Sequence, residues 1–443
     1  MRSSSPLAEG LIDAPTEPLP RTGCCESFSM KAITKSLTRA ALGSIALAGK
    51  KGDTLDFEPD RTQFVVAFCG SGTGHMTQAL AFVKLLKAKR GLTLCGVITD
   101  TDMASKLIEE NITPLGAPLL VLPAITIVNK DGVLPPHRVL AKARAAERGL
   151  KVQSARILEF LAAAKPGILI NMWQISLGKF LQQNPLPPSV LCLTIAAQCG
   201  QAAGAPTELR ISEITSVMAA AAKGTCEVMC RVFAGSGPLV AITASGKDGC
   251  LAPIIEIPDA ISNPPPSPLL LCYFLTQAPA RKLEKLLHQN PIPNLEVHVF
   301  TPEALTPPKG RELSLHSHPK QRALFQELFA KCTGVICSTG NETIWEATCR
   351  GVPVLTVPTA GHGEQMLNAV THARALPSLV RTRKSLKIAD VRWLVEFVHT
   401  EESRRESATL RERCAALAEG GGGVDELLAQ QRETAAVNVV VSP

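Results

Sequence analysis

The segment 333–376 constrains the fold of this 443-residue chain more than any other stretch. It begins with a short apolar run at 334–337, which is followed by a small polar turn at 338–341. A helical pattern then runs to Gly351, a residue type that commonly ends a helix in the left-handed conformation. A second apolar run and a glycine-containing loop lead to another helix at Glu364. This order of strand, turn, helix, strand, loop and helix predicts a parallel sheet whose ligands bind beyond the carboxyl ends of its strands.

A comparable unit lies earlier in the chain. The apolar run 64–68 precedes a glycine turn at 70–74, and His75 opens an amphipathic helical pattern. The run 92–100 predicts the next strand. Residues 64–100 therefore form a predicted βαβ unit, in which a right-handed crossover places the glycine turn at the carboxyl edge of the sheet.

The stretch from 101 to 265 is less regular. Its apolar patterns predict a strand with breaks at 118–128, a helix at 140–164, and strands at 166–173 and 189–197. Four prolines in the seven residues 262–268 then predict a stiff linker.

These boundaries predict an α/β chain with two Rossmann-like parallel-sheet domains facing across a cleft, which is the default ligand site. The expected parts are a disordered or weakly helical extension 1–60, an N-terminal domain 61–262, a linker 263–268, a C-terminal domain 269–384, and C-terminal helices and a tail 385–443.

Composition excludes several classes of function. Aromatic residues make up 4% of the chain and its net charge is +7 without a dense basic cluster, which argues against nucleic-acid binding. The 14 cysteines show no CxxC spacing, so no zinc or redox motif is indicated. Without a secretory signal, a reducing compartment and a cytoplasmic location are expected. No apolar run approaches the ~20 residues that span a bilayer.

The segment 30–51 carries five basic residues and no acid. One interpretation is a basic amphipathic helix that contacts a membrane surface, or a targeting element, which leaves a plastid location open. The other is a loosely ordered tail.

The turn 338–341 is a candidate anion site. Its backbone N–H groups and the dipole of the following helix suit a diphosphate. Ser338 and Thr339 add hydroxyl groups, and Gly340 permits a close approach of the backbone. The alternative is an ordinary helix cap, since Ser, Thr and Asn341 are favoured at such positions without any ligand.

Two acidic positions are candidates for sugar recognition. Glu346 could accept hydrogen bonds from a ribose diol, or it could form a solvated i, i+4 pair with Arg350. Glu364 and Gln365 could bind adjacent sugar hydroxyls, or Glu364 could serve only to compensate a helix dipole.

The glycine turn with Gly72 and Gly74 ends in His75. It has neither the Lys-Ser/Thr pair of a P-loop nor the GxGxxG spacing, so neither nucleotide motif applies. An imidazole at the cleft could act as a general base. The alternative is a structural histidine at the start of a helix.

Together, these residues resemble the two-domain GT-B glycosyltransferases that use UDP-sugars. The segment STGNETIWEATCRGVPVLTVPTAGHGEQMLNA resembles the donor-binding signature shared by bacterial lipid II N-acetylglucosaminyltransferase and eukaryotic UDP-glycosyltransferases. In that signature a small-Gly turn holds the diphosphate, a Glu binds ribose, and an acidic/Gln–Gln pair contacts the sugar. By this resemblance Gly340 lies at the diphosphate, Glu346 at the ribose, and Glu364 and Gln365 at the sugar.

The segment GSGTGHMTQALAFVKLL is similar to the N-terminal Gly-His turn of the same superfamily, so the resemblance makes His75 the general base. Three positions depart from the pattern. Ser338 stands where plant members carry His, Asn341-Glu342 replaces Trp-Asn, and Asn171 occurs on a strand that often carries Asp. An Asp partner for His75 is not visible in the sequence.

The resemblance implies an inverting, metal-independent hexosyltransferase. It would move a hexose-type sugar from a UDP-sugar to an acceptor hydroxyl, with no cofactor, no metal and no nucleic-acid partner. The C-terminal domain would bind the donor and the N-terminal domain an acceptor, which could be a lipid, a small molecule or a glycan. The alternatives are a nucleotide-sugar epimerase of the same fold and a non-catalytic nucleotide-sugar-binding partner protein.

Overall fold

A computed structural model describes most of the chain between Phe57 and Glu419. The described residues are 57–70, 74–124, 128–129, 132–133, 136–196, 239–244, 250–259, 267–305 and 314–419. The predictions for segment 30–51, for Gly72 and for most of the proline linker lie outside the described residues.

The N-terminal half contains a parallel sheet flanked by helices. Its strands are β1 (Asp60–Phe68), β2 (Thr93–Asp100), β3 (Leu119–Leu122), β4 (Val128–Asn129), β5 (Gly132–Val133), β6 (Pro166–Met172), β7 (Leu191–Ala196), β8 (Leu239–Ile242) and β9 (Cys250–Leu251). Its helices are α1 (Gly74–Arg90), α2 (Ser105–Asn111), α3 (Pro136–Ala164) and α4 (Ile175–Gln183), with a 3₁₀ turn at Thr113–Leu115. The sheet order is β3-β2-β1-β6-β7-β8-β9, and β4 and β5 form a separate antiparallel pair.

The C-terminal half contains a second parallel sheet. Its strands are β10 (Leu269–Tyr273), β11 (Glu296–Thr301), β12 (Leu315–Pro319), β13 (Gly334–Cys337), β14 (Val354–Thr356) and β15 (Val380–Thr382), in the order β12-β11-β10-β13-β14-β15. Its helices are α5 (Gln277–Gln289), α6 (Arg322–Lys331), α7 (Asn341–Cys349), α8 (Gly363–Ala375), α9 (Ile388–Val395) and α10 (Glu401–Glu419).

The central strands are almost entirely apolar because helices cover both faces of each sheet. All seven residues of β6 and all four residues of β13 are buried. Helix α7 is followed by Gly351, whose φ of +80° is the left-handed conformation that the sequence predicts there. The two Rossmann-like sheets are thereby confirmed, as are the strand and the helix that lie on either side of each glycine turn.

In the stretch 101–265, the strand expected at 118–128 with breaks at its prolines has that form. Strand β3 ends at Leu122, ahead of Pro123, and the two-residue strand β4 follows among the described residues. Helix α4 in the same stretch was not predicted. None of the described helices is long and apolar enough to cross a bilayer.

The two halves are joined by a continuous apolar cluster. It includes Phe64 and Met76 from the N-terminal half and Phe300 and Trp345 from the C-terminal half. Helix α1 packs against α7 within this cluster. As a result, the first turns of these two helices face each other.

The strand orders place both candidate turns at comparable positions. In the first sheet the direction of winding changes between β1 and β6, and in the second sheet it changes between β10 and β13. The turn before α1 follows β1, and the turn before α7 follows β13. Ligands of open α/β sheets bind beyond the strand carboxyl ends at such points.

Candidate active site

The turn after β13 is held rigidly by the neighbouring strand. The Ser338 N–H donates to the Tyr273 carbonyl at 2.9 Å, and the Leu275 N–H donates to Ser338 Oγ at 3.1 Å. The Thr339 carbonyl accepts from Asn368 Nδ2 at 3.1 Å. These bonds fix the backbone at the start of α7, so the Ser338 hydroxyl already has a structural role.

Gly340 is the N-cap residue of α7, and as a glycine it has no side chain that could cap the helix. A Cβ added at Gly340 would lie 3.8 Å from its nearest neighbour, the Ser338 carbonyl oxygen. The space in front of Gly340 is therefore open, and an anion bound there could receive hydrogen bonds from N–H groups in the first turn of α7.

Asn341 contributes to this site through its backbone. Its side chain is buried, and its Oδ1 lies 2.8 Å from Nε2 of His372 on α8. Burial lowers the pKa of His372 to about 3, so the imidazole is neutral and its Nε2–H donates to Asn341. The side chain of Asn341 thus ties α7 to α8.

Glu346 does not form the surface pair with Arg350 that its spacing allowed. Arg350 is buried, and its guanidinium donates to the carbonyls of Asp259, Phe329 and Ala330. The Glu346 carboxylate lies instead in the field of Glu342 and of Arg322. Glu346 is consequently available for a ligand, as the resemblance implies.

Glu342 is a residue of the site that sequence reasoning missed. Its carboxylate crosses to the N-terminal half and accepts a hydrogen bond from Gln78 Nε2 on α1. A Cβ at Gly74 would collide with this carboxylate, so a larger residue at the start of α1 would displace the Glu342 side chain. The contact brings the first turn of α7 against the first turn of α1.

The two carboxyl groups on α7 have perturbed acidities. Burial, with the charge of Glu364 adding to it, raises the pKa of Glu342 to about 7, while the Gln78 hydrogen bond opposes the rise. Burial and the charge of Glu342 raise the pKa of Glu346 to about 7, against the lowering effect of Arg322. Perturbed carboxyl groups of this kind cluster at functional sites.

The loop before α8 brings Glu364 and Gln365 to the same place. Thr359 N–H donates to Gln365 Oε1 at 2.7 Å, and His362 Nδ1 accepts from the Gln365 N–H at 3.4 Å as the N-cap of α8. The amide oxygen of Gln365 thus holds the loop, which leaves its Nε2 for a ligand. Glu364 lies in the first turn of α8, and its charge acts on both Glu342 and His75.

His75 lies in the first turn of α1 and is partly buried. Burial lowers the pKa of His75, and the nearby Glu364 carboxylate partly opposes that shift. The imidazole is therefore neutral at pH 7 and able to accept a proton. The fold brings His75 together with Glu342 and Glu364, although the chain separates them by more than 260 residues.

Asp100 is a second buried carboxylate that the sequence interpretation did not identify. It accepts from the Gly70 N–H at 3.0 Å and from Gln174 Nε2 at 3.2 Å, and burial raises its pKa. Asn171, on β6, forms hydrogen bonds with the backbone of Gln174. Asp100 therefore fixes the start of the turn that carries His75. Its position at the carboxyl end of β2, beside β1, is the sequence signal that could have revealed it.

Comparison with solved structures identifies the class of fold. The chain is similar to Arabidopsis thaliana UGT89C1 complexed with quercetin, at 14% identity and a TM-score of 0.56, with 84% of this chain and 99% of that chain covered. It is also similar to CalG4, the calicheamicin glycosyltransferase, at 14% identity and a TM-score of 0.52, with 87% and 100% covered. The glycotransferase of kitacinnamycin matches at 14% identity and a TM-score of 0.53, with 84% and 100% covered.

The fold is accordingly that of the GT-B UDP-glycosyltransferases, two Rossmann-like sheets that meet at a cleft. No protein-family model matches the sequence, and no curated protein matches it. The identities are too low to carry more than the fold.

Proposed function

We propose that this protein is a UDP-sugar-dependent hexosyltransferase that acts by inversion and without a metal ion. The observation that supports the proposal most strongly is that two groups lie at the points where the winding of the two sheets changes direction. One is the N-terminus of α7, where the N-cap residue Gly340 has no capping side chain, and the other is the neutral imidazole of His75 beside Glu364. The structures of UGT89C1 with UDP and with UDP-L-rhamnose support a nucleotide-sugar donor.

The donor would lie on the C-terminal half. Its diphosphate would lie in front of Gly340 and accept a hydrogen bond from the Asn341 N–H, at the positive end of the α7 dipole. The Gly340 N–H itself donates to the Ser338 carbonyl. Ser338 and Thr339 would shape the turn. Glu346 would accept hydrogen bonds from the ribose, and Glu364 with the Nε2 of Gln365 would contact the sugar.

Proton uptake would offset the charge that the diphosphate brings. Glu342 and Glu346 titrate near pH 7, so an anion bound beside them favours their protonated forms. Protonation of these carboxyl groups would lower the repulsion between enzyme and donor. Backbone amides and protonation would then do what a divalent cation does in metal-dependent transferases.

His75 would act as the general base. The imidazole takes the proton of the acceptor hydroxyl while that oxygen forms a bond to the anomeric carbon. The bond from the anomeric carbon to the phosphate oxygen breaks, and UDP leaves with the electron pair. Attack opposite the leaving group inverts the anomeric configuration. The carboxylate of Glu364 would stabilise the imidazolium that forms.

The acceptor would lie against the N-terminal half. The quercetin bound by UGT89C1 supports a small hydroxylated molecule, and a lipid or a glycan are the other classes to test. The nine described cysteines form no disulfide with one another. A reducing, cytoplasmic location is part of the proposal.

Calorimetric titration with UDP tests the donor site. We expect saturable binding to the wild-type protein and binding at least about tenfold weaker in Glu346→Ala. Glu402→Ala, at an exposed position on α10, is the matched control and should bind like wild type. Absence of saturable binding, or equal affinity in Glu346→Ala, would contradict the proposal.

Two further outcomes separate the alternative functions. Conversion of UDP-GlcNAc in the absence of any acceptor would indicate an epimerase or a hydrolase. UDP binding without transfer to any acceptor would indicate a non-catalytic nucleotide-sugar-binding protein, the function that the missing Asp on β6 favours.

A further inference from the structure

A group of imidazole and carboxylate side chains lies at one edge of the C-terminal sheet. Residues two apart in a strand point to the same face, so Glu296 and His298 share a face of β11, and His316 and His318 share a face of β12. The two strands are paired in parallel with His298 opposite His316. The register therefore gathers four side chains with metal-binding atoms on one face.

The side chains are in contact. His298 Nε2 lies 2.8 Å from Glu296 Oε1, and His298 Nδ1 lies 2.9 Å from His318 Nε2. The ring of His298 stacks on that of His316, with centroids 4.8 Å apart. One ligand atom from each of Glu296, His298 and His316 lies within 4.8 Å of the others.

We propose that Glu296, His298 and His316 bind a zinc ion at this edge. Two imidazole nitrogens and a carboxylate oxygen form a ligand set that Zn²⁺ accepts, with water in the fourth position. The sequence has no CxxC pair for such a site. The ligands come instead from alternate residues of two adjacent strands.

Small adjustments give the required geometry. Bonds of about 2.0–2.1 Å in a tetrahedral site place ligand atoms about 3.3 Å apart. His298 and Glu296 must separate slightly from their present 2.8 Å, and His316 must swing inward. His316 is exposed, so its ring can turn toward the metal once it leaves its stack on His298.

His318 would orient the buried ligand. His298 is 8% exposed, and its Nδ1–H can donate to His318 Nε2 when its Nε2 binds the metal. Histidines that bind metals usually donate their other N–H to such a partner, which fixes the tautomer. The present contacts already hold the ring in the orientation that this role requires.

The ion would act as a structural clamp. Strand β12 is at the edge of the sheet, so it pairs with only one strand, β11. The turn at Gly340 follows β13, which is separated from β11 by β10. At the usual strand spacing, β11 and β13 are about 10 Å apart, so the zinc site lies apart from the proposed donor site.

Zinc titration of the untagged protein, competed against a chromophoric chelator, tests the site. We expect one Zn²⁺ per chain with a dissociation constant below about 10 μM. His316→Ala should weaken binding by at least about tenfold. His399→Gln, an exposed histidine on another segment, is the control and should bind like wild type. UDP affinity should be the same with and without zinc.

Cobalt substitution identifies the ligands. We expect the intense visible bands of four-coordinate Co²⁺ without a thiolate charge-transfer band, because no cysteine belongs to the set. A thiolate band, binding that His316→Ala leaves unchanged, or no binding at this affinity would overturn the proposal. The last result would leave the four side chains as a metal-free hydrogen-bonded stack.

Discussion

Replacement of Glu342 by glutamine is expected to stabilise the protein at pH 8 and to have little effect at pH 4.5. The variant keeps the shape of the side chain and an oxygen that can accept from Gln78. It removes the negative charge that the contact between α1 and α7 encloses. The size of the effect follows from the acidity of the wild-type carboxyl group.

Burial raises the pKa of Glu342 from the ordinary 4.5 to about 7. The folded protein therefore binds more protons than the unfolded chain between these values, and the contribution of this group to stability is complete below pH 4.5. The contribution falls as the pH rises from 4.5 to 7, and the stability contributed by this group does not change further above pH 7. A shift of this size corresponds to at most about 3 kcal/mol. The substitution also makes Glu346 easier to ionise, because part of the raised pKa of Glu346 comes from the charge of Glu342. This adds to the stabilisation of Glu342→Gln at pH 8.

Urea denaturation of both proteins at intervals from pH 4.5 to 8 measures the difference in unfolding free energy. We expect that difference to grow with pH in favour of Glu342→Gln and to level off above pH 7. Glu109→Gln, at an exposed position on α2, should show no such trend. A difference that is independent of pH, or a variant less stable than wild type at pH 8, would refute the reasoning.

Three further predictions concern the cleft. UDP should bind more tightly at pH 6 than at pH 8, and binding near pH 7 should take up protons, because Glu342 and Glu346 titrate beside the diphosphate. Calorimetry in two buffers of different ionisation enthalpy measures the number of protons taken up. Gly340→Val should melt like wild type but bind UDP at least about tenfold less tightly, since the open space in front of Gly340 is filled. Gly74→Ala should lower the melting temperature through its clash with Glu342, and Glu342→Gly should partly restore it.

The strand–turn–helix units could be predicted because their signals are local. An apolar run, a small polar turn and a terminal glycine specify β13, α7 and Gly351 within about twenty residues. The same reasoning placed the turn before His75 at the end of β1. The strand and the helix on either side of each candidate turn were therefore predicted correctly from short stretches of sequence.

The contacts between the halves could not be predicted in this way. Glu342 and Gln78 are 264 residues apart in the chain, and neither carries a local signal for the other. Spacing favoured a surface pair of Glu346 with Arg350, but Arg350 turns inward to the carbonyls that end α6. Which partner a long side chain reaches depends on tertiary packing.

The zinc-binding residues illustrate the same division. The alternation of His316 and His318 is visible in the sequence, as is that of Glu296 and His298. Their proximity depends on the register of β11 against β12, which no local pattern specifies.

Sugar transfer from labelled UDP-glucose, UDP-galactose and UDP-GlcNAc to a panel of lipid, small-molecule and glycan acceptors tests the proposed function most directly. We predict that one donor and acceptor class gives a product with inverted anomeric configuration. His75→Ala should abolish this transfer while its UDP affinity stays at the wild-type value. Transfer that persists in His75→Ala, or no transfer from any of the donors, would contradict the account.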